Sequence, residues 1–201
     1  MRVYRLRIAY NKAGNWLYQQ IWPADPDHVD WFDVWSFRCA TRSSVWPRAG
    51  ALVEVLNPSA PAGNFPFLYE GAIGMDRTTR DRLAPILPET AEYLDVQTAT
   101  GQSYQLLNIL DCTDSIDEER SEWSSLPTRA RVYIKRFAFR PERLPATSLF
   151  KASAAPADLF VSTGVVPSHL DFKTQYEALG LRGLQFERVW SDDGGPNLTV
   201  V

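Results

Sequence analysis

The chain has 201 residues, 45% hydrophobic and 12% aromatic, enough apolar material for a substantial core in one large domain or two small ones. Its formal net charge of -3 argues against a phosphate-binding surface, since nucleic-acid binders gather Lys and Arg on one face. No run approaches the ~20 apolar residues of a membrane-spanning helix, and the start Met1-Arg-Val-Tyr-Arg-Leu-Arg7 lacks the apolar stretch of a signal peptide. The expectation is a cytoplasmic protein with neither nucleic-acid nor membrane partners.

Tyr4, Leu6 and Ile8 alternate with Arg5 and Arg7, the period of a half-buried strand. Trp22 to Trp35 follows, in which Asp25, Asp27, Asp30 and Asp33 interleave with Trp22, Trp31, Phe32 and Trp35. Phe32 and Trp35 read best as core. Trp22 and the four aspartates are interface candidates, because aromatic anchors ringed by charge are what tight interfaces use. Strand-like runs recur at Val34 to Cys39 and Ala51 to Leu56. Between Asn57 and Pro66, three prolines and a glycine mark a loop or a sub-boundary before the remainder of the chain.

A short helix is expected from Asp76 to about Pro85, where proline removes a hydrogen bond and clashes with the preceding turn. Strands are expected at Tyr93 to Gln97, Ser103 to Asp111 and Arg131 to Phe139. In a second helix Ser168 caps, Asp171 adds a carboxylate near the positive end, Gly180 closes, and Phe172, Tyr176 and Leu179 share a face. The stretch Ser191 to Asn197 reads as a mobile tail, with Leu198 to Val201 able to pair as a terminal strand. The pattern predicts an α+β fold, mostly antiparallel or mixed sheet with a few short helices. Phe67 to Val96 and Leu159 to Val189 form two similar strand-helix-strand units, open to duplication or to chance recurrence.

Cys39 and Cys112 lie in apolar or strand-like runs without a Cys-x-x-Cys unit, and are expected to be buried free thiols. The only histidines are His28 and His169. Ser168-His169-x-Asp171 contains the residue types of a hydrolytic triad, but a triad is a spatial constellation and no Gly-x-Ser-x-Gly elbow accompanies it. Asp111, Asp114, Asp117, Glu118, Glu119 and Glu122 cluster without the spacing of a calcium loop. They read chiefly as a solvated turn facing Arg129, Arg131, Lys135, Arg136, Arg140 and Arg143, with Asp114, Asp117, Glu118 and Glu119 also partner-surface candidates. No metal or cofactor is expected, and no catalytic residue is assigned.

Five pieces in order carry a family resemblance: Ala72-Ile-Gly-Met-Asp-Arg-Thr-Thr-Arg-Asp-Arg-Leu83, Tyr104 to Asp117, Ser148-Leu-Phe-Lys151, Phe160-Val-Ser162 and Gly180-Leu-Arg-Gly-Leu-Gln-Phe186. Together, over roughly residues 66 to 190, they resemble immunity protein family eleven of bacterial polymorphic-toxin systems. The resemblance implies a non-enzymatic cytoplasmic protein that binds and occludes a cognate secreted toxin domain. Interfaces in such families diverge with their toxins, so no functional residue carries over. The alternatives are a small hydrolase or transferase using His169 or the 111–122 segment, and a non-enzymatic regulatory adaptor.

Overall fold

The computed structural model describes residues 1–24, 35–125 and 131–194, and among these the chain is α+β and mostly sheet. A six-stranded sheet takes the order β2 (Ile21–Pro23), β3 (Ala51–Val55), β6 (Ala91–Thr98), β7 (Ser103–Ile109), β5 (Ala72–Met75), β4 (Phe67–Tyr69). A five-stranded sheet takes the order β13 (Leu184–Ser191), β1 (Arg2–Ile8), β12 (Ala155–Thr163), β11 (Leu149–Ala152), β8 (Cys112–Thr113). A separate ladder pairs β9 (Glu122–Ser125) with β10 (Arg131–Arg136). Both sheets are mixed: β3 runs parallel to β6 and β8 parallel to β11, while the other pairings are antiparallel.

The six-stranded sheet curls until its edges meet. Ile21 N–H donates to Pro66 O at 2.8 Å, and the Trp22 ring lies 4.8 Å from that of Tyr69 on the opposite edge. Twisted strands close in this way when one face holds bulky side chains. Here the enclosed face carries Ile21, Val53, Phe67, Leu94, Val96 and Leu106, with Trp35, Phe37 and Trp46 packed among them. Two glycines permit the curvature. A Cβ on Gly74 would stand 2.7 Å from Phe67 Cβ across the β4–β5 pair. Glu70 (φ 46°) and Gly71 (φ 89°) form the two-residue turn of that hairpin, both left-handed as a type I′ turn requires.

The outer face of this sheet meets the inner face of the five-stranded sheet in a core of Leu6, Phe65, Ile73, Met75, Leu107, Leu149, Leu159 and Val161. Both helices, α1 (Arg77–Leu83) and α2 (Phe172–Ala178), contribute to it through Leu83, Phe172 and Tyr176. Each is capped by an aspartate reaching the amide three residues on: Asp76 to Thr79 at 2.7 Å and Asp171 to Thr174 at 2.9 Å. The expected capping residue of the second helix is thereby corrected. Ser168 opens a preceding 3-10 turn, and Asp171 is the cap because its shorter offset matches the first free amides. Leu181 N–H to Tyr176 O and Gly180 N–H to Glu177 O close α2 as a Schellman motif, with Gly180 at φ 62°. The third core, Val3, Phe137, Phe139, Phe150, Phe160 and Val189, lies on the far face of the five-stranded sheet beneath Ile134 of β10.

Each helix joins two parallel strands that flank a third antiparallel to both: β5 and β6 around β7, and β12 and β13 around β1. The run Val34 to Cys39 is not a strand over its described part. Trp35 and Phe37 are buried and Arg38 is exposed, as in a strand, but the segment crosses the end of the curled sheet without joining its ladder. Nor is all of the tail loose, since the Met1 ammonium pairs with Asp192 at 2.7 Å. Residues 195–201 lie outside the described structure, as do Trp31, Phe32 and His28. No helix among the described residues is long and apolar enough to cross a membrane.

Candidate functional site

The chemistry-bearing side chains converge where residues 35–46, here the strap, cross the end of the curled sheet. Glu92 and Asn108, opposite each other on β6 and β7, face the strap. Glu92 accepts from Arg42 N–H at 2.6 Å, Ser43 N–H at 3.0 Å, the Thr41 hydroxyl at 2.9 Å and Asn108 Nδ2 at 2.7 Å. Burial pushes its carboxyl up, but these four donors more than offset that and hold it below the usual range. Asn108 Nδ2 also donates to Ala40 O at 2.9 Å. The strap's backbone polar groups thus find partners on the sheet in place of a neighbouring strand.

Lys151 on β11 enters the same cluster from the other sheet. It is wholly buried, and its ammonium donates to Asn108 Oδ1 at 2.7 Å and to Phe37 O. Burial lowers its pKa from 10.5 to about 7, with the Glu92 charge opposing the shift. Sequence reasoning placed Lys151 within a strand motif and gave it no role. A lysine in an otherwise apolar four-residue strand was the available signal.

The cysteines are not free thiols. Cys39 of the strap and Cys112 of β8 form a disulfide, with Cα atoms 5.9 Å apart and a sequence separation of 73. Their sequence settings gave no sign of this, because proximity arises only once β7 leads into β8 beneath the strap. The bond joins the chain that follows the Trp22 to Trp35 segment to the chain that enters the acidic turn.

The sequence-nominated interface residues fall into three groups. Trp22 is half-buried between Phe67 and Tyr69 at the sheet closure, so part of its ring serves the fold. Asp25, Asp27, Asp30 and Asp33 lie outside the described residues. Asp114 pairs with Arg143 and, at 3.5 Å, with Arg140; Asp117 lies 3.8 Å from Arg140; and Glu122 lies 3.6 Å from Arg136. The acidic turn therefore does face part of the basic run, while Glu118 and Glu119 are exposed. Arg129 and the Arg131 side chain are outside the described set.

His169 is exposed on its 3-10 turn, whereas Asp171 is buried and its carboxylate caps α2, so Ser168, His169 and Asp171 do not assemble as a relay. A second polar network lies on the far face of the five-stranded sheet, where Arg5 and Arg7 reach Glu187 at 2.8 and 3.2 Å and Asp158 at 3.7 and 3.8 Å. Burial raises the Asp158 pKa against the pull of the two arginines. It borders an open groove of about 1510 Å³ between β10 and β13. Its lining carries more basic than acidic side chains, with Arg5 and Arg7 paired to Glu187. Sequence reading also passed over the turn at 10–17, which exposes Tyr10, Trp16 and Leu17 while Asn11 Oδ1 accepts from the Ala13 and Asn15 amides and fixes its shape.

These features define an α+β protein whose densest polar chemistry is a strap fastening. Compared with known proteins, the chain matches no family model and no curated relative.

Proposed function

We propose that this chain is a cytoplasmic immunity protein that binds a cognate secreted toxin domain and blocks its active site, with no cofactor and no chemistry of its own. The observation that carries the reading is the nearness of Cys39 and Cys112, whose Cα atoms lie 5.9 Å apart. Asp25, Asp27, Asp30 and Asp33 precede Cys39, and Asp114, Asp117, Glu118 and Glu119 follow Cys112 closely. The chain that follows the first acidic stretch and the chain that enters the second are therefore neighbours at Cys39 and Cys112, and both stretches are candidate toxin contacts. Negative charge there speeds encounter with a basic toxin such as a nuclease and rejects acidic partners. The motif resemblance over residues 66 to 190 points the same way.

We further infer that the chain contains two copies of one strand-helix-strand unit, β4-β5-α1-β6-β7 and β11-β12-α2-β13 with β1. In each, a hairpin leads through an Asp-capped helix to a strand parallel to the second hairpin strand, with one antiparallel strand between them. Asp76-Arg-Thr-Thr79 and Asp171-Phe-Lys-Thr174 share the cap pattern. In the second copy the middle strand comes from the N-terminus, as a circular rearrangement of the first would give.

The deciding experiment expresses the toxin domain encoded beside this protein with and without it, then pulls down complexes from the same cells. Survival with co-purification is expected. Glu118→Lys/Glu119→Lys should slow association at least tenfold at low salt with the fold unchanged, since charges at a binding rim act mainly on the on-rate. Survival without a complex would replace occlusion with enzymatic repair, and no survival would remove the immunity reading.

A further inference from the structure

Cys39 is a non-glycine residue at φ 57°, a conformation that crowds Cβ against the following carbonyl. It is held there from two sides. One is the bond to Cys112; the other is a tight turn in which Cys39 N–H donates to Phe37 O at 2.9 Å. That same carbonyl accepts the Lys151 ammonium, and Lys151 is the register partner of Cys112 in the β8–β11 pair. A buried amine thus stands one hydrogen bond from the backbone of one cysteine and on the strand beside the other. Both cysteines are only half-buried, within reach of a small dithiol.

The strap's other fastenings straddle Cys39. Arg38 pairs with Glu70 at 2.6 Å on one side, and Glu92 holds residues 41–43 on the other. Strand β8 is two residues long and lies at the sheet edge. What the disulfide adds is therefore local: it ties the turn around Cys39 to the shortest strand of its sheet and so to the root of the acidic turn.

We propose that Cys39–Cys112 is a redox latch: oxidised, it locks the strap to edge strand β8; reduced by a dithiol, it frees the junction between the strap and the acidic turn. In the opening step a reductant thiolate attacks one cysteine sulfur, breaking the Cys39–Cys112 bond and forming a mixed disulfide. The reductant's second thiolate then displaces that cysteine. The reductant leaves as its own disulfide, having given two electrons and, overall, two protons to the cysteine pair. Disulfides are rare in a reducing cytoplasm, so in that compartment the latch is open at rest and closes under oxidative stress. The latch does not depend on the toxin reading, and its test uses no toxin.

The full-length protein is oxidised with glutathione disulfide or reduced with dithiothreitol, and trypsin cleavage after Arg38 and Arg42 is timed by mass spectrometry. Cleavage at least tenfold faster in the reduced chain, reversed on re-oxidation, is expected. Cys39→Ser/Cys112→Ser should be cut at the reduced rate and ignore dithiothreitol. If that variant does not fold, the two states of the native chain decide the matter by themselves. Equal cleavage rates in both states overturn the proposal, as do two titratable thiols in the denatured protein after glutathione disulfide treatment.

Discussion

Raising the pH from 7 to 9 should stabilise this protein through one residue. Lys151 is completely buried, and its pKa is lowered from 10.5 to about 7 by burial first, with Glu92 pulling the other way. For a base with a depressed folded pKa, the unfolded chain binds more protons than the native one between the two values, so stability rises with pH across that window. One proton's difference between the two states is worth about 1.4 kcal/mol for every step of one in pH, so moving from pH 7 to 9 recovers about 2 kcal/mol. With a urea slope of about 2 kcal/mol per molar, the unfolding midpoint should climb by about 1 M. Tryptophan fluorescence reports the transition, because Trp35 and Trp46 lie in the curled-sheet core. The tyrosines with shifted pKa values, Tyr69, Tyr93, Tyr104 and Tyr176, are raised by burial and stay neutral up to pH 9. The oxidised cysteines do not titrate. Lys151→Met should abolish most of the rise while costing about 1–3 kcal/mol at pH 9, because Asn108 Oδ1 loses its donor. A native protein whose midpoint rises no more than that of Lys151→Met between pH 7 and 9 would refute the lowering of the Lys151 pKa by burial at this site.

Glu92 should give the opposite slope in acid. Its folded pKa is depressed, so its contribution is full above the ordinary carboxylate value of about 4.3 and is lost as pH falls through the lower folded value. Glu92→Gln should cost about 1–3 kcal/mol at neutral pH, since an amide turns a donor toward the Arg42 and Ser43 amides, and should flatten the acid limb of a stability-versus-pH curve. The proposed duplication predicts a tolerated rearrangement. Joining residue 194 to Met1 by a short linker, beside the Met1–Asp192 pair, and opening the chain between Ser59 and Ala60 places β1 directly after β13. That permutant should fold with the native circular dichroism spectrum, and an unfolded product would count against two interchangeable units.

The elements most legible in the sequence are those whose signal is local. Alternation in Tyr4 to Ile8 set both strand and buried face, because a strand's side chains change sides at each residue, and Ala51 to Val55 read as a strand from its apolar run. The start of the first helix at Asp76 is equally local, an aspartate three residues before the amide it caps, whereas at the second helix the serine of a preceding turn, Ser168, competed for the role that Asp171 fills. The same locality misled at Val34 to Cys39. Burial of Trp35 and Phe37 follows the expected alternation, yet a strand also needs a neighbour to pair with, and Glu92, Asn108 and Lys151 take that place.

What the sequence by itself determined was the mostly-sheet α+β class, the two short helices and the pairing of the acidic turn with Arg136, Arg140 and Arg143, all of which follow from periodicity and charge at short range. Only the tertiary structure decided the closure of β2 against β4, the Cys39–Cys112 bond and the Lys151–Asn108–Glu92 chain. Each depends on a meeting of residues far apart in sequence, 73 in the case of the cysteines. Such a meeting is fixed by sheet curvature and by how two sheets pack, which no local pattern of side chains records.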